Sequence, residues 1–372
     1  MRIVHLTNVH PPGDTRIFHK ECVSLARAGY DVVFVCAGAT SGVVDGVRLV
    51  GVAPASGRLG RATVSAWRVL RSGVRERGDL YHYHDPELLW VALALRAMGR
   101  PVVFDAHEDV PKQIMSKEWI PRPLRRAVAA VTRWTLRLGT WPLSAAVVAT
   151  PPLVGVVGTK RVIVLSNFPL LTELCAPEVT SGSVARDIVY AGGITAARGA
   201  LEMVQAVQLV DAALSPHLVL AGNPSDQRLA DALAAADTDS RVTWVGWLDR
   251  GGVRDLFASA AVGLCVLHPE PNYVEAYPVK LFEYMAAGVP VVASDFPLWR
   301  SIVQDADCGL LVDPLDIEAI AQTISVILSD PERGTALGAS GRRAVEERYN
   351  WEREFPKLVD LYETILAGRS VR

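Results

Sequence analysis

The chain has 372 residues, 50% of them hydrophobic and 21% charged, a composition that excludes a disordered protein and favours two globular domains. Its five cysteines form neither a Cys-x2-Cys pair nor a disulfide framework, which indicates a reduced, cytoplasmic setting. The net charge of −2 conceals two halves of opposite sign. Residues 1–172 hold 22 Lys and Arg against 12 Asp and Glu, and residues 173–372 hold 16 against 28. We therefore expect the amino half to meet an anion: a phosphorylated acceptor, an acidic membrane surface or the acidic half itself.

Strand-like runs alternate with helix-like runs along the whole chain. In the first half, strands are predicted at residues 2–6, 31–36, 47–52, 80–84, 101–105 and 145–150. After Asn167 the pattern restarts, with strands predicted at residues 187–191, 217–221, 242–245, 262–266, 289–293 and 310–312. This alternation predicts parallel sheets covered on both faces, and the restart predicts two α/β domains, residues 1–170 and 171–350. The join is placed at 168–186, where Pro, Ser, Thr and Gly cluster.

Neither a signal peptide nor a membrane span is predicted. The apolar run of Met1–Leu6 is short and broken by His5, which is typical of a first strand. The uncharged stretch 139–158 is long enough to cross a membrane. We nevertheless expect a buried strand near 145–150, because the stretch is interrupted by Pro142, Pro151 and Pro152.

A basic amphipathic helix is predicted at 121–141, within a stretch from Trp119 to Thr172 that has no acidic residue. The apolar face consists of Leu124, Val128, Val131, Thr135 and Leu138. The opposite face largely consists of Arg122, Arg126, Arg133 and Arg137, and the flanking tryptophans are Trp119, Trp134 and Trp141. Such a helix either lies on an anionic membrane surface and presents a lipid-linked acceptor, or packs its apolar face on the first domain.

An anion site is predicted at the start of a helix of about ten residues that follows Tyr277. Pro278 is expected as the first helical residue and Gly288 as the residue just past the end. Lys280 then lies in the first turn, where a cation opposes the helix dipole by roughly 0.3–1 kcal/mol unless an anion binds there. Because backbone N–H groups at a helix start also favour phosphate, we infer a phosphate-bearing ligand near Ala276 to Lys280.

Two carboxylates, Glu275 and Glu283, are expected to flank this phosphate on opposite sides. A carboxylate accepts hydrogen bonds but donates none, so the pair suits a ligand rich in hydroxyl groups. A nucleotide sugar, with a ribose on one side and a sugar on the other, fits this description. Alternatively, Glu283 pairs with Lys280 at i,i+3 spacing.

The segment from Glu275 to Val292 resembles the signature of retaining glycosyltransferases of family 4, in which Glu-x7-Glu runs into Ala-x-Gly-x-Pro-Val-Val. Similar blocks of that family, also called bacterial-type glycosyl transferase group 1, occur at 14–21, 84–87, 105–109, 166–167, 192–199 and 349–351. The resemblance covers nearly the whole chain. It implies the GT-B fold: two Rossmann-like, doubly wound parallel-sheet domains facing a cleft. The donor is expected on the carboxyl-terminal domain and the acceptor on the amino-terminal domain, with a last helix of about 351–366 packing back on the latter.

On the donor side, the resemblance implies that Arg198 contacts the donor diphosphate, although a surface role for Arg198 stays open. Gly193 stands where the family often has a second basic residue, so Lys280 is expected to substitute in part. Glu283 is expected to bind the ribose hydroxyls, and Glu275 to lie near the donor sugar and its leaving group. The backbone that meets sugar and phosphate is expected to be that of Gly13, Ala276, Tyr277, Pro278 and Val279.

On the acceptor side, the resemblance implies that His107 touches the reacting sugar and orients the acceptor, so that the expected catalytic set is His107, Arg198, Glu275 and Lys280. Neighbouring carboxylates that hold acceptor hydroxyls are expected at Asp85, Glu87 and Glu108. For Asp85, a helix-capping role is the alternative. An anion-attracting array, which closes over the donor phosphates or receives an acceptor phosphate, is expected from Arg16, His19 and Lys20.

The activity implied by the resemblance is the retaining transfer of a hexosyl or N-acetylhexosaminyl group. UDP-N-acetylglucosamine or another UDP-sugar is the first expected donor, followed by GDP-mannose. The expected acceptor is a polysaccharide, a lipid-linked sugar or a natural-product aglycone. No metal or other cofactor is expected, because Arg, Lys and helix ends neutralise the leaving diphosphate. No nucleic acid partner is expected.

A dinucleotide-dependent oxidoreductase is disfavoured, because the loop after the first strand offers one glycine, Gly13, where Gly-x-Gly-x-x-Gly is needed. Two alternatives stay open. The first is a nucleotide-sugar epimerase on the same scaffold, which shares the donor site and differs in needing no acceptor. The second is a non-catalytic carbohydrate- or nucleotide-binding protein.

Overall fold

The structure, a computed structural model, describes residues 1–117, 119–174 and 187–370. The chain divides into two compact units, which are Met1–Asn167 with Glu352–Arg372 and Phe168–Trp351. The division therefore falls at the start of the predicted join. Cys175 and the part of that join at 175–186 lie outside the described residues.

The first unit contains an eight-stranded sheet. Its strands are β1 Arg2–Thr7, β2 Asp31–Ala37, β3 Gly42–Val44, β4 Val47–Val52, β5 Leu80–Tyr83, β6 Val102–Ala106, β7 Ala145–Val148 and β8 Val162–Val164. They run in the order β3-β4-β2-β1-β5-β6-β7-β8. All neighbours are parallel except β3 and β4, which form an antiparallel hairpin. This edge hairpin was not predicted, although Asp45 and Gly46 at its turn, both at positive φ, are a hairpin signal.

The helices of the first unit cover both faces of this sheet's apolar strands. They are α1 Val23–Arg27, α2 Gly57–Gly60, α3 Ala66–Arg75, α4 Leu89–Ala97, α5 Val110–Met115 and α6 Arg122–Thr140. A π-helical segment, Thr15–Cys22, leads directly into α1. Asp14 caps that segment by accepting from the backbone N–H groups of Arg16 and Ile17 at 2.9 Å each.

The second unit contains a six-stranded, all-parallel sheet. Its strands are β9 Asp187–Ala191, β10 His217–Ala221, β11 Val242–Gly246, β12 Ala260–Cys265, β13 Val291–Ser294 and β14 Gly309–Val312. Its helices are α7 Leu171–Leu174, α8 Ala200–Leu209, α9 Gln227–Ala236, α10 Arg250–Ala258, α11 Pro271–Val274, α12 Val279–Ala287, α13 Pro297–Ala306, α14 Ile317–Ser329 and α15 Pro331–Glu347.

Both sheets follow the doubly wound order, in which the first strand of the unit is central and the chain reverses direction beside it. In the second unit the order is β11-β10-β9-β12-β13-β14, so the reversal lies between β9 and β12. In the first unit it lies between β1 and β5. Ligands of such sheets bind outside the carboxyl ends of the strands at this reversal. The topology therefore predicts that ligands bind at the loops after β1 and β5 in the first unit, and after β9 and β12 in the second.

The last helix, α16 Trp351–Ser370, belongs to the first unit from Glu352 onward. Glu354 accepts a hydrogen bond from the Ser166 backbone N–H at 2.8 Å. The Tyr362 hydroxyl lies 2.5 Å from Nδ1 of His82 on β5. These contacts hold α16 against the first unit.

Helix α6 packs through a different face from the predicted one. The buried or half-buried side of the helix consists of Arg125, Ala129, Thr132, Leu136, Gly139 and Thr140. Small residues allow this close packing, and a Cβ at Gly139 would lie 2.5 Å from a methyl carbon of Leu89. The predicted apolar face stays exposed, with Val131 65% and Leu138 66% accessible. The prediction that this face packs on the first domain is therefore wrong.

No helix in the described part of the chain is long and apolar enough to span a membrane. The uncharged stretch 139–158 instead begins with the end of α6 and includes the buried strand β7. A short 3-10 helix, Pro151–Val156, follows that strand.

Candidate active site

Two cations converge on the turn that follows β9 in the second unit. A Cβ added to Gly192 would lie 2.5 Å from Nζ of Lys280, and one added to Gly193 would lie 3.0 Å from Nη1 of Arg198. Gly192 has φ 136°, a conformation that other residues rarely adopt. The Arg198 guanidinium also donates to the Gly193 carbonyl at 3.3 Å. The structure thus brings together the predicted donor residues Gly193, Arg198 and Lys280.

Arg198 ends a 3-10 turn, Ala196–Arg198, that precedes α8. Gly199 follows at φ 71°, and a Cβ there would lie 2.0 Å from the carbonyl oxygen of Val266. Glycine therefore lets this loop pack against the backbone just after β12. Arg198 is held at the chain reversal of the second sheet, the place where doubly wound folds bind ligands.

Lys280 is the second residue of α12, in the first turn as predicted. Pro278 is the residue before the helix rather than its first residue, and Gly288 ends the helix at φ 73°. Nζ of Lys280 lies 5.2 Å from the centre of the Tyr190 ring, within cation–π distance. The Tyr190 hydroxyl donates to the Gly193 carbonyl at 2.9 Å. Tyr190 was not predicted, because an aromatic residue near a strand end is more often simply core.

Among the described residues, neither Lys280 nor Arg198 has a carboxylate within 4.0 Å. The predicted alternative of a close Glu283–Lys280 pair is therefore excluded. Burial lowers the pKa of Lys280 and the charge of Arg198 lowers it further, while the more distant charge of Glu283 opposes the shift in part. Two half-buried cations without a carboxylate partner form an electrostatic site that a bound anion would complete.

The loop before α12 departs from the prediction in one respect. The Ala276 N–H donates to the Tyr273 carbonyl at 3.2 Å. The prediction that this N–H donates to phosphate or sugar is therefore wrong. The Ala276 carbonyl accepts from Nε1 of Trp299 at 2.9 Å, which fixes the loop. Pro278 has no N–H to offer.

The other donor-side residues lie around this loop and α12. The Tyr277 ring packs 5.7 Å from that of Phe168. Glu275 is exposed just after α11, while Glu283 and Val279 are half-buried on α12. The donor roles of these four residues stay predictions.

In the first unit, His107 follows β6 and lies next to a second histidine from the loop after β5. Its Nε2 is 2.9 Å from Oδ2 of Asp105 and 3.2 Å from Nδ1 of His84. Burial raises the pKa of a carboxyl, but the Arg16 and His107 charges outweigh it and hold the pKa of Asp105 well below its ordinary value. The anionic Asp105 orients the His107 ring, which is 15% accessible. The catalytic role of His107 stays a prediction.

Arg16 and Lys20 are not the open, anion-attracting array that was predicted. Arg16 is 4% accessible, donates twice to Asp105 at 2.9 and 3.0 Å, and donates to the Leu165 carbonyl at 2.9 Å. Lys20 is 1% accessible and donates to Oδ1 of Asn167 at 2.7 Å. Both cations instead hold the first helical segment against the sheet. The π-helical winding at Thr15–Cys22 places them inward.

Asp85 likewise has a different role from either predicted one. It makes no side-chain cap to the short helix that follows it. Its carboxylate accepts from the Thr7 hydroxyl at 2.7 Å and the Asn8 N–H at 2.6 Å, and it lies 2.8 Å from Nδ1 of His10. Asp85 is 2% accessible, so it fixes the loop after β1 rather than meeting an acceptor.

The remaining residues predicted in the first unit, Gly13 on the donor side and the others on the acceptor side, are exposed or half-buried. Glu87 pairs with Arg61 at 2.9 Å, and Glu108 accepts from the Gln113 amide. His19 is half-buried with its ring edge on Phe18. Gly13 is exposed, and an added Cβ there would meet no described atom within 4 Å. Roles for Glu87, Glu108, His19 and Gly13 stay predictions.

Comparison with known proteins agrees with this geometry. Residues 185–330 match the family model described as glycosyl transferases group 1, and residues 14–152 match the model described as glycosyl transferase 4-like domain. Each match falls in one unit. The Mycolicibacterium hassiacum MMP alpha-(1->4)-mannosyltransferase is 26% identical over 321 residues, covering 81% of this chain and 74% of that protein. The Mycobacterium leprae phosphatidyl-myo-inositol mannosyltransferase is 25% identical over 305 residues, covering 78% and 75% respectively.

Solved structures show the same fold. Sucrose-phosphate synthase from Thermosynechococcus elongatus superposes with a TM-score of 0.80 and 20% identity, covering 99% of this chain and 100% of that one. Anabaena HepE in complex with UDP and glucose superposes with a TM-score of 0.72 and 16% identity, covering 98% and 100%. The predicted GT-B fold is confirmed. The chain belongs to the group 1 glycosyltransferases of the GT4 type.

Proposed function

We propose that this glycosyltransferase moves a sugar from a nucleotide-diphosphate sugar to a hydroxyl acceptor, with retention of configuration and without a catalytic metal. The observation that carries the proposal is the pair of cations, Arg198 and Lys280, held beside the turn after β9 without a carboxylate partner among the described residues. A diphosphate brings the negative charge that this pair lacks. The two cations stabilise the charge on the departing diphosphate, a role that a metal ion has in other enzymes.

In the proposed reaction, the acceptor hydroxyl attacks the anomeric carbon from the face that the diphosphate leaves. The bond from that carbon to the diphosphate oxygen breaks as the new glycosidic bond forms. The hydroxyl proton passes to the departing diphosphate oxygen. His107, oriented by Asp105, positions the acceptor, so the protein acts mainly through positioning and charge stabilisation.

A UDP-sugar, with UDP-N-acetylglucosamine first, is the donor we propose, and GDP-mannose is the competing donor. Support for UDP comes from HepE, whose structures contain UDP with glucose and UDP-glucose. Support for GDP-mannose comes from a Mycobacterium tuberculosis relative, 34% identical over 96 residues, named as a GDP-mannose-dependent mannosyltransferase. The two donors share the diphosphate and differ in base and sugar.

A thermal-shift screen with UDP, GDP and their sugars tests the donor, because a specific ligand raises the melting temperature according to its affinity. We expect UDP compounds to give the larger shift in wild type and no shift in Lys280→Ala. Arg254→Ala, at an exposed arginine of the same unit, is the control and should respond as wild type. If GDP-mannose alone raises the melting temperature, GDP-mannose is the donor instead of a UDP-sugar. If no nucleotide raises the melting temperature, the proposed nucleotide-sugar donor is contradicted.

The chosen donor then serves for product analysis. NMR of the glycosidic linkage is expected to show the anomeric configuration of the donor, and added Mg²⁺ or Mn²⁺ is expected to leave the rate within about twofold. An inverted linkage contradicts the proposed retention. Isomerisation of UDP-N-acetylglucosamine without an acceptor would instead identify an epimerase.

We further propose that α6 contacts an anionic membrane surface, where a lipid-linked acceptor would be presented. Its outer side exposes Leu124, Val131, Trp134 and Leu138, each more than half accessible, among the arginines of a stretch without acidic residues. Apolar side chains that enter the lipid boundary and arginines that meet lipid phosphates suit an anionic bilayer. A groove of about 300 Å³ between α5 and α6, lined in part by Arg126, Arg133 and Trp134, adjoins this side.

Vesicle flotation tests this contact. Wild-type protein is expected to float with phosphatidylglycerol vesicles and not with neutral phosphatidylcholine vesicles, and added salt should release it. Val131→Ser with Trp134→Ser should abolish flotation. Trp247→Ser is the matched control, since Trp247 is 74% accessible on the second unit. Equal flotation by the α6 variant, or no flotation of wild type, would contradict the membrane contact.

A further inference from the structure

A cluster of three histidines and one glutamate lies inside the first unit, apart from the Arg198–Lys280 pair. His5 on β1 faces His82 on β5 in the register of the two parallel strands. His84 follows β5 on the same side of the sheet, because side chains two positions apart share a face. Glu21 reaches them from the π-helical segment Thr15–Cys22. All four side chains are completely inaccessible to solvent.

The four side chains present one ligand atom each to a common point. Oε2 of Glu21 lies 3.8 Å from Nδ1 of His5, 3.7 Å from Nδ1 of His82 and 4.0 Å from Nε2 of His84. Nδ1 of His5 and Nε2 of His84 are 2.9 Å apart, within hydrogen-bonding distance. Each of the four residues offers one ligand atom, and these four atoms lie within 4.8 Å of one another. Four ligands about 2.0–2.1 Å from a tetrahedral zinc ion would stand roughly 3.4 Å apart, which is inside this range.

Hydrogen bonding does not account for the glutamate. Both oxygens of Glu21 are buried and accept no hydrogen bond in the described structure. The three imidazole nitrogens are too far from Oε2 for a hydrogen bond, but at a distance that a shared cation would bridge. A buried carboxylate whose oxygens accept no hydrogen bond is costly, so this arrangement points to a further ligand beside the Arg16 ion pair.

The Arg16 cation beside this cluster is shared. The Arg16 guanidinium lies 2.9 Å from Asp105 and 3.2 Å from Glu21, so Glu21 shares it with a second buried carboxylate. Neutral imidazole is the form in which histidine binds a metal.

We propose that His5, His82, His84 and Glu21 bind one structural divalent transition-metal ion, with zinc as the ion that a tetrahedral set of three imidazoles and one carboxylate suits best. The ion ties the first helical segment to β1 and β5. Tyr362 of α16, 2.5 Å from Nδ1 of His82, would move aside to a neighbouring position. All four protein ligands are buried, which is typical of a closed structural site and separates this ion from the transfer reaction, for which no metal is proposed.

Metal content of the full-length protein, expressed without a histidine tag, tests the proposal. After dialysis, elemental analysis should find about one equivalent of zinc in wild type and in His217→Ala, a control at a partly exposed histidine of the second unit. Glu21→Gln and His82→Gln should retain less than a tenth as much. Equal zinc in wild type and Glu21→Gln would place the metal elsewhere and overturn the proposal, as would metal-free wild type that takes up none from added zinc.

Cobalt substitution provides a readout that does not need the variants to fold. Wild-type protein refolded with Co²⁺ should show the visible absorption of a tetrahedral ion, and zinc should displace it stoichiometrically. A chelator strong enough to remove zinc should lower the melting temperature of wild type. An octahedral cobalt spectrum, or a melting temperature unchanged by removal of bound zinc, would contradict a buried tetrahedral site.

Discussion

Arg16 and Lys280 are both withdrawn from solvent near the chain reversal of a doubly wound sheet, yet their surroundings are opposite. Arg16 has two carboxylates and a backbone carbonyl within hydrogen-bonding or ion-pair distance. Lys280 has a tyrosine ring, a glycine backbone and a second cation close by, and the charge of Glu283 acts on it from beyond ion-pair distance. A buried cation whose partners are all protein groups serves the fold. One whose partners include another cation is placed for a ligand, so the neighbours of a charge, rather than its motif, distinguish the two roles.

The largest expected effect concerns Arg16. Arg16→Met should lower the free energy of unfolding by about 3–5 kcal/mol, because the anionic Asp105 would remain buried without the guanidinium that it accepts from. Urea denaturation followed by tryptophan fluorescence measures the loss. Lys280→Met is the matched variant and should leave stability unchanged or higher, since it removes a desolvated charge that lacks a carboxylate. Similar losses of unfolding free energy in the two variants would contradict the proposed difference, in which Arg16 serves the fold and Lys280 serves a ligand.

The second effect concerns catalysis. Lys280→Ala should reduce kcat/KM by about 10²–10³-fold, because a group that stabilises charge on the leaving diphosphate contributes roughly 3–4 kcal/mol to the transition state. Steady-state kinetics with the identified donor measures this, with Arg254→Ala as a control at an exposed position. A loss below about fivefold would place the diphosphate away from Lys280.

The third effect concerns the ribose. Glu283→Gln should raise the donor KM roughly tenfold, about 1.4 kcal/mol, because hydrogen bonds to a charged carboxylate are stronger than those to an amide. The value of kcat should change less than KM. Glu346→Gln, at a carboxylate on α15 that pairs with Arg342, is the control. A change in kcat alone would assign Glu283 to the chemical step instead of to the nucleotide.

The smallest effect is a pH dependence. Burial and the neighbouring Arg198 lower the pKa of Lys280, so in the free protein its charge is lost at a lower pH than that of an ordinary lysine. UDP binding at alkaline pH must therefore restore a proton, and affinity should fall as pH rises through that lowered pKa. Calorimetry in buffers of different ionisation enthalpy would detect the proton uptake. Lys280→Arg should show none, since arginine stays charged.

Local patterns predicted much of the fold, and long-range pairing explains what they missed. The strand predictions at 47–52, 187–191 and 217–221 match the structure at both ends. For the latter two the reason is that buried parallel strands are nearly continuous apolar runs bounded by loops. On α6 the apolar pattern left packing and membrane contact as alternatives, because apolarity alone does not distinguish a buried face from an exposed one. There, Ala129 and Gly139 allow close contact while large apolar residues stay outside.

In the candidate active site, too, residues recognisable from their sequence neighbours were predicted, and contacts between distant residues were missed. Lys280 was recognised from helix position alone, because the dipole argument needs only neighbouring residues. Asp105, which accepts from Arg16, and Thr7, which donates to Asp85, lie 89 and 78 positions from those residues in sequence, so no local pattern reveals these two contacts. The alternation of His82 and His84 with tyrosines does show that both rings face one side of β5. Only the strand register shows that His5 lies beside them.

Gly192 makes the second unit's anion site intolerant of change at one position. Any side chain there would occupy the space of the Lys280 ammonium and would also have to adopt φ 136°. In a library randomised at this codon and selected for donor use, glycine should be nearly the sole survivor, whereas Gly13, with open space around its Cα, should accept alanine. Attempts to broaden donor choice by directed evolution therefore have little freedom in the turn after β9. They should begin with the side chains around it.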